Sequence, residues 1–180
     1  MVPDIYTVGH STCDLPAFLG ILEAHEIKQL ADVRTVPRSR RNPQFNTGML
    51  PPPLRAAGIR YVHLAALGGL RHPKCDSINT GWHNASFRGF ADYMQGAEFE
   101  KGVERLLKFA SALRTAIMCA EAVPWRCHRS LIADALVVRG IRVLHIFSAS
   151  RAQKHTLTPF ACVEGSKIAY PGDSSDGQPL

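Results

Sequence analysis

The chain has 180 residues (19.8 kDa), 46% of them hydrophobic and 20% charged. This excludes a largely disordered protein and fits a chain that buries roughly 70% of its unfolded surface without needing disulfides. The 21 Lys and Arg outnumber 15 Asp and Glu, for a net charge of +6 and a pI near 9.3, and most of these cations are Arg, whose planar fork grips phosphate or carboxylate at two points.

Ile5-Tyr6-Thr7-Val8 is an apolar, β-branched run ending at Gly9, which predicts a strand. Asp14 can cap a helix whose apolar residues Leu15, Phe18, Leu19 and Leu22 recur at helical spacing. Gln29 to Val33 reads as a second strand ending at Arg34. Residues 35–50 are polar and Arg-rich, a loop by composition. Pro51 to Pro53 open a short helix that Gly58 ends, and Ile59 to Leu64 is a third strand. Residues 65–95 form a long glycine-rich excursion with a short helix near Phe87 to Met94. Phe99, Val103, Leu106, Leu107 and Ala110 make the apolar stripe of the clearest helix. Thr115 to Cys119 is a fourth strand, almost wholly apolar and so covered on both faces. Leu131, Ile132, Ala135 and Leu136 mark a helix, starting near Cys127 and ending at Gly140, before a fifth strand from Ile141 to Phe147.

Strands alternate with helices at the spacing of βαβ units. The expected fold class is α/β: a mostly parallel central sheet of about five strands, helices on both faces, and a small C-terminal β-hairpin around Gly165. Residues 1–172 are expected to form a single domain and 173–180 a flexible tail. The N-terminus lacks a basic start followed by an apolar core, and no run of about 18 apolar residues occurs. A cytoplasmic protein with no membrane partner is expected, and its five cysteines (13, 75, 119, 127 and 162) should then be reduced.

In such a fold, ligands bind beyond the carboxyl ends of the strands. The residues expected there are Gly9-His10-Ser11, Asp32-Val33-Arg34, Leu67-Gly68-Gly69, Cys119-Ala120-Glu121 and His145. Reactive residue types from distant parts of the chain therefore meet at one edge. The sharpest segment runs from Cys119 to Ser130. A buried strand delivers Cys119 and Glu121 to a loop, which turns at Pro124 into a helix start flanked by Arg126 and Arg129. Free N–H groups and a positive dipole end make that start an anion site, and the same field favours thiolate over thiol. Cys119 or Cys127 is then a candidate nucleophile, with Glu121, His128 or His10 handling protons. The plain alternatives are that Cys119 is a small core hydrophobe and that His128 simply bonds a carbonyl.

Cys119, Cys127, His128 and His10 have zinc-ligand chemistry, but adjacent Cys127 and His128 look awkward as co-ligands and no CxxC or HExxH occurs. No metal ligand and no cofactor is assigned; GxxxxGK[ST] and GxGxxG are absent. The Arg34, Arg38, Arg40 and Arg41 loop suits phosphate contacts, with Phe45 available to stack on a base. Asp32 orients Arg34 or caps a turn. The candidate substrate-binding set is Ser11, Asp32, Arg34, Arg38 and Arg129. Residues 79–93, rich in aromatics, form either a lid or an anchor for the long loop.

Several of these segments together resemble the DUF488 family. They are Thr7-Val-Gly9-His10-Ser11, Asp32-Val-Arg34 with Pro37 and Ser39, Gly58-Ile-Arg-Tyr61, Leu67-Gly68-Gly69, and Phe87 to Met94. Met118-Cys119-Ala-Glu121, Cys127-His128-Arg129 and Asp134 complete the pattern, which covers about residues 5–160 in the family's order. The resemblance implies a compact α/β domain and makes the GHS, DVR, CAE and CHR segments its signature; it supplies no substrate. Cys13 departs from the pattern and places an extra thiol near His10. Three functions follow as expectations: an enzyme acting on a phosphate-bearing substrate (nucleotide or nucleic acid), a non-catalytic nucleic-acid binder, or a Cys/His metal-site protein. The corresponding partners are an anionic small molecule or a nucleic acid.

Overall fold

The structure is a computed structural model that describes residues 4–172; the expected tail at 173–180 lies outside the described residues. Strands β1 (Ile5–Gly9), β2 (Gln29–Asp32), β3 (Arg60–His63), β4 (Thr115–Cys119), β5 (Val143–Ser148) and β6 (Arg151–Lys154) form one mixed sheet in the order β3-β2-β4-β1-β5-β6. All pairings are parallel except β5 with β6. Five α-helices are present among the described residues: α1 (Leu15–Ala24), α2 (Pro51–Ala56), α3 (Ala85–Tyr93), α4 (Ala97–Ala110) and α5 (Arg129–Val138). β7 (Cys162–Glu164) and β8 (Lys167–Ala169) pair antiparallel across Gly165, which is the expected hairpin.

The expected α/β class holds, with one more strand in the main sheet than the periodicity indicates. β6 reads Arg-Ala-Gln-Lys and is exposed at every residue. An edge strand with a solvated face needs no apolar alternation, so it leaves no hydrophobic signal. α5 starts two residues later than expected, because Cys127 remains extended (φ −138°, ψ 141°).

Two cores flank the sheet, and alternation along β4 feeds both. Ile117 and Cys119 face a core shared with Phe90 of α3, Phe99 and Val103 of α4, and Leu131 of α5. Ala116 and Met118 face the opposite core, with Phe18 and Leu22 of α1 and Leu54 of α2. α1 is capped as its sequence indicates, since Asp14 Oδ1 accepts from the Ala17 N–H at 2.7 Å. No helix among the described residues is long and apolar enough to cross a membrane.

Candidate functional site

The order of the strands fixes where the site lies. From β1 the chain steps to β2 and β3 toward one edge, and from β4 to β5 and β6 toward the other, so β1 and β4 are neighbours at the reversal. Gly9 is in register with Cys119 there. Beyond these two ends lies a cavity of about 630 Å³, within the usual size of ligand pockets. The two post-strand loops touch directly: His10 N–H donates to Cys119 O at 3.0 Å and Ser11 N–H to Ala120 O at 2.9 Å. Only glycine permits this at position 9, where a Cβ would stand 1.8 Å from Glu121 O.

Eight of the ten candidate residues line the cavity: His10, Ser11, Arg34, Arg38, Cys119, Glu121, Cys127 and His128. Asp32 and Arg129 lie behind it and are buried. Asp32 accepts from Arg34 Nε at 2.9 Å and Nη2 at 2.6 Å, and from the Tyr61 hydroxyl at 2.8 Å. Arg34 Nη2 also donates to Phe45 O at 2.7 Å, and Nη1 reaches His10 Nε2 at 3.2 Å. The guanidinium is thus committed to the protein on every arm. His10 is committed too. Its Nδ1–H donates to Ser11 O at 2.9 Å, which leaves Nε2 as the acceptor for Arg34. Burial, and the charge of Arg34, push its pKa below the ordinary value.

Two sequence expectations need correction, and a third is decided between its alternatives. Phe45 is not a stacking surface for a base: it is fully buried and stacks on the His10 ring at 4.1 Å. His145 is not at the cavity edge; it lies within β5 and points to another site. In the 79–93 segment, Trp82 packs against Phe87, Phe160 and Tyr170, so those aromatics anchor the loop. Only Ser86 and Phe87 of that segment reach the cavity.

The centre of the cavity floor is Cys119, Cys127 and His128. Cys119 comes from the end of β4, while the 124–126 turn returns the chain so that Cys127 lies beside it. His128 Nδ1 is 3.6 Å from Cys127 Sγ and 4.0 Å from Cys119 Sγ. Adjacency does not keep Cys127 and His128 apart, because the backbone switches from extended at Cys127 to helical at His128 (φ −55°, ψ −16°). His128 Nε2 donates to Val33 O at 2.9 Å, and a carbonyl only accepts, so in the neutral ring Nδ1 presents its lone pair to both sulfurs. Phe90 packs edge-on against the ring at 5.0 Å. Gly69 closes the other side, where a Cβ would sit 2.4 Å from Nδ1.

The two thiols act as one acid. Cys119 is held well below the usual thiol range, first by a hydrogen bond from the Cys127 thiol, against the effect of burial. Cys127 is raised by the Cys119 thiolate beside it and by burial. A pair that shares one proton keeps one thiolate at neutral pH. The start of α5, expected to hold an external anion, faces this pair instead: Arg129 N–H points to Cys127 Sγ at 3.5 Å. The Arg129 side chain is 1% exposed. Its Nη2 donates to Ala122 O at 2.9 Å, and Nε and Nη1 have no partner among the described residues. At the cavity mouth, Glu121, Arg38 and Arg126 are exposed, and among the described residues neither arginine pairs with a carboxylate.

Sequence reasoning missed a second site. Thr7 Oγ1, His145, His155 and Asp134 form a buried chain with separations of 2.7, 2.8 and 2.9 Å. Asp134 also accepts from Thr158 and the Tyr170 hydroxyl. Burial first, then the positive charge of His155 and Arg129, push the His145 pKa down to about 3. Asp134 was legible as part of the family pattern and His145 as a strand residue. His155 follows an exposed strand and carries no sequence signal.

The sequence model described as "Domain of unknown function DUF488" matches residues 14–136, about two thirds of the chain, and the chain belongs to that family. No curated protein and no solved structure matches it.

Proposed function

We propose that this member of the DUF488 family is an enzyme acting on a phosphate-bearing substrate, a nucleotide or nucleic acid, with Cys119, Cys127 and His128 as its reactive centre. The observation that carries the reading is the convergence of two thiols and an imidazole lone pair on a cavity floor, beneath two arginines that no carboxylate among the described residues neutralises. Arg38 and Arg126 hold the phosphate by charge-assisted hydrogen bonds. Arg34 and Arg129 serve inside the protein: Arg34 fixes the 35–50 loop through Asp32 and Phe45, and Arg129 supplies positive charge beside the sulfurs. Glu121, exposed at the mouth, is the group placed to exchange a proton with substrate or water.

A non-catalytic nucleic-acid binder accounts less well for the same residues, since plain binding needs no buried thiol pair. Titration of the full chain with inorganic phosphate, mononucleotides and short single-stranded DNA and RNA at low salt separates the readings. The enzyme reading expects a saturable site lost in Arg38→Ala/Arg126→Ala, and turnover of a bound phosphate ester that Cys119→Ser abolishes. Binding without turnover, falling steeply with salt and indifferent to the cysteines, supports the binder. Absence of any binding overturns both.

A further inference from the structure

We propose that Cys119, Cys127 and His128 are the three protein ligands of a zinc-class divalent metal ion whose fourth position opens into the cavity. The donor atoms, two Sγ and Nδ1, lie within 4.8 Å of one another. Zinc takes thiolate at about 2.3 Å and imidazole at about 2.0–2.1 Å. At a tetrahedral angle, those bonds place sulfur about 3.6 Å from nitrogen and the two sulfurs about 3.8 Å apart. The separations here are 3.6 Å and 4.0 Å from Nδ1 to the two sulfurs. The cluster needs to close by no more than about 1 Å to hold the ion.

The surroundings are those a metal-bound imidazole and thiolate require. A ligating histidine donates its second ring N–H to a carbonyl or carboxylate, which fixes the tautomer and aims the lone pair. His128 Nε2 donates to Val33 O, and the ring is held between Phe90 and Gly69. A ligating thiolate is itself hydrogen-bonded, as the Arg129 N–H does for Cys127 Sγ. Two thiolates balance a dication, so Arg129 remains as a buried positive charge beside the neutral complex, with Nε and Nη1 unpartnered among the described residues. That residual charge favours an anionic fourth ligand over a further protein group. Three protein ligands with an open position is the pattern of catalytic zinc, whereas structural zinc is closed by four. The fourth position would take water or a phosphate oxygen. That last step rests on the reading of the cavity given above, whereas metal binding does not.

The test uses the full chain, expressed without an affinity tag and stripped by chelator under reducing conditions, with Cys13, Cys75 and Cys162 all changed to Ser. This background keeps only the two proposed thiolates and alters no buried residue. Titration with cobalt(II) should reach one equivalent and give the intense visible bands of tetrahedral cobalt, with a near-ultraviolet thiolate-to-cobalt band. Zinc should displace it, and His128→Ala or Cys127→Ser should lower affinity at least about tenfold. Cobalt spectra of octahedral type, or no binding below millimolar concentration in a background whose circular dichroism is native, overturn the proposal. If cobalt does not bind while phosphate-ester turnover persists in chelator with metal-free protein, the metal is refuted and the enzyme reading stands. If cobalt binds but inorganic phosphate neither binds nor perturbs its spectrum, the metal stands and the substrate reading falls.

Discussion

Gly69 offers the sharpest probe of the cluster, because Gly69→Ala adds one methyl group and touches no ligand atom covalently. That methyl would stand 2.4 Å from His128 Nδ1 and 2.5 Å from Cγ. Non-bonded heavy atoms rest about 3.5 Å or more apart, so the ring or the 68–70 segment must move by roughly 1 Å. The ring has little freedom to do so, since Nε2 is held by Val33 O at 2.9 Å and Phe90 packs against its face. Overpacking of this kind costs about 1–3 kcal/mol. Loss of the His128–Val33 bond adds about 1 kcal/mol. The expected total is about 2–4 kcal/mol in urea unfolding, together with loss of the cobalt bands. Gly48→Ala is the control: it is exposed, has nothing within 4 Å of its Cβ, and should stay within about 0.5 kcal/mol of the parent. A Gly69→Ala protein as stable as the parent, with unchanged cobalt spectra, would refute the packing account of His128.

Arg34→Met leaves Asp32 fully buried without its counter-ion, a loss of about 3–5 kcal/mol in urea unfolding; a change under about 1 kcal/mol would show that the pair is replaceable. The second site predicts an acid-sensitive fold. His145 has its folded pKa depressed from 6.5 to about 3, so its stabilising contribution is whole above pH 6.5 and drains as the pH falls toward 3. His10 acts in the same direction. The lowered carboxylates Asp4 and Asp92 lose their contribution only near and below their ordinary value of 3.8, so the loss between about pH 6.5 and 4.5 belongs to the histidines. His145→Gln should flatten that part of the curve, and an unaltered slope would remove His145 as its source. Arg129→Met takes a buried cation from beside the sulfurs, which raises the pH at which the pair is alkylated by iodoacetamide in the background lacking the other three cysteines. An unmoved pH–rate profile would assign Arg129 to packing alone.

The parts of the fold that bury apolar surface were legible, and the parts that bury polar groups were not. Thr115 to Cys119 reads as a strand at its full length because both faces are covered and every residue is apolar or small. The 162–169 hairpin follows from a glycine between two short β-like pieces. β6 was missed because an exposed edge has no alternation to read. The site was legible as residue types at strand ends, but not as roles. Spacing cannot show that Arg34 spends its guanidinium on Asp32, His10 and Phe45 O, since these contacts depend on how the 35–50 loop folds over β2. It also cannot show that the extended backbone at Cys127 lets two adjacent side chains converge.

The positive charge of the chain changes meaning once its bearers are placed. A net +6 invites the picture of a basic surface steering any polyanion. Of the arginines near the cavity, however, Arg34 is neutralised by Asp32, and Arg129 is sealed behind the sulfurs. Neither projects a field into solvent. The field at the mouth therefore comes from Arg38 and Arg126, set against Glu121. Two exposed cations can clamp one phosphate but cannot track a long backbone, so a salt slope arising at this cavity should correspond to about two released counterions, whatever the length of the nucleic acid. A slope that grows with the length of single-stranded DNA would place the binding elsewhere, on exposed residues such as Arg40 and Arg41. A slope that stays near two and disappears in Arg38→Ala/Arg126→Ala would place the phosphate directly above Cys119, Cys127 and His128.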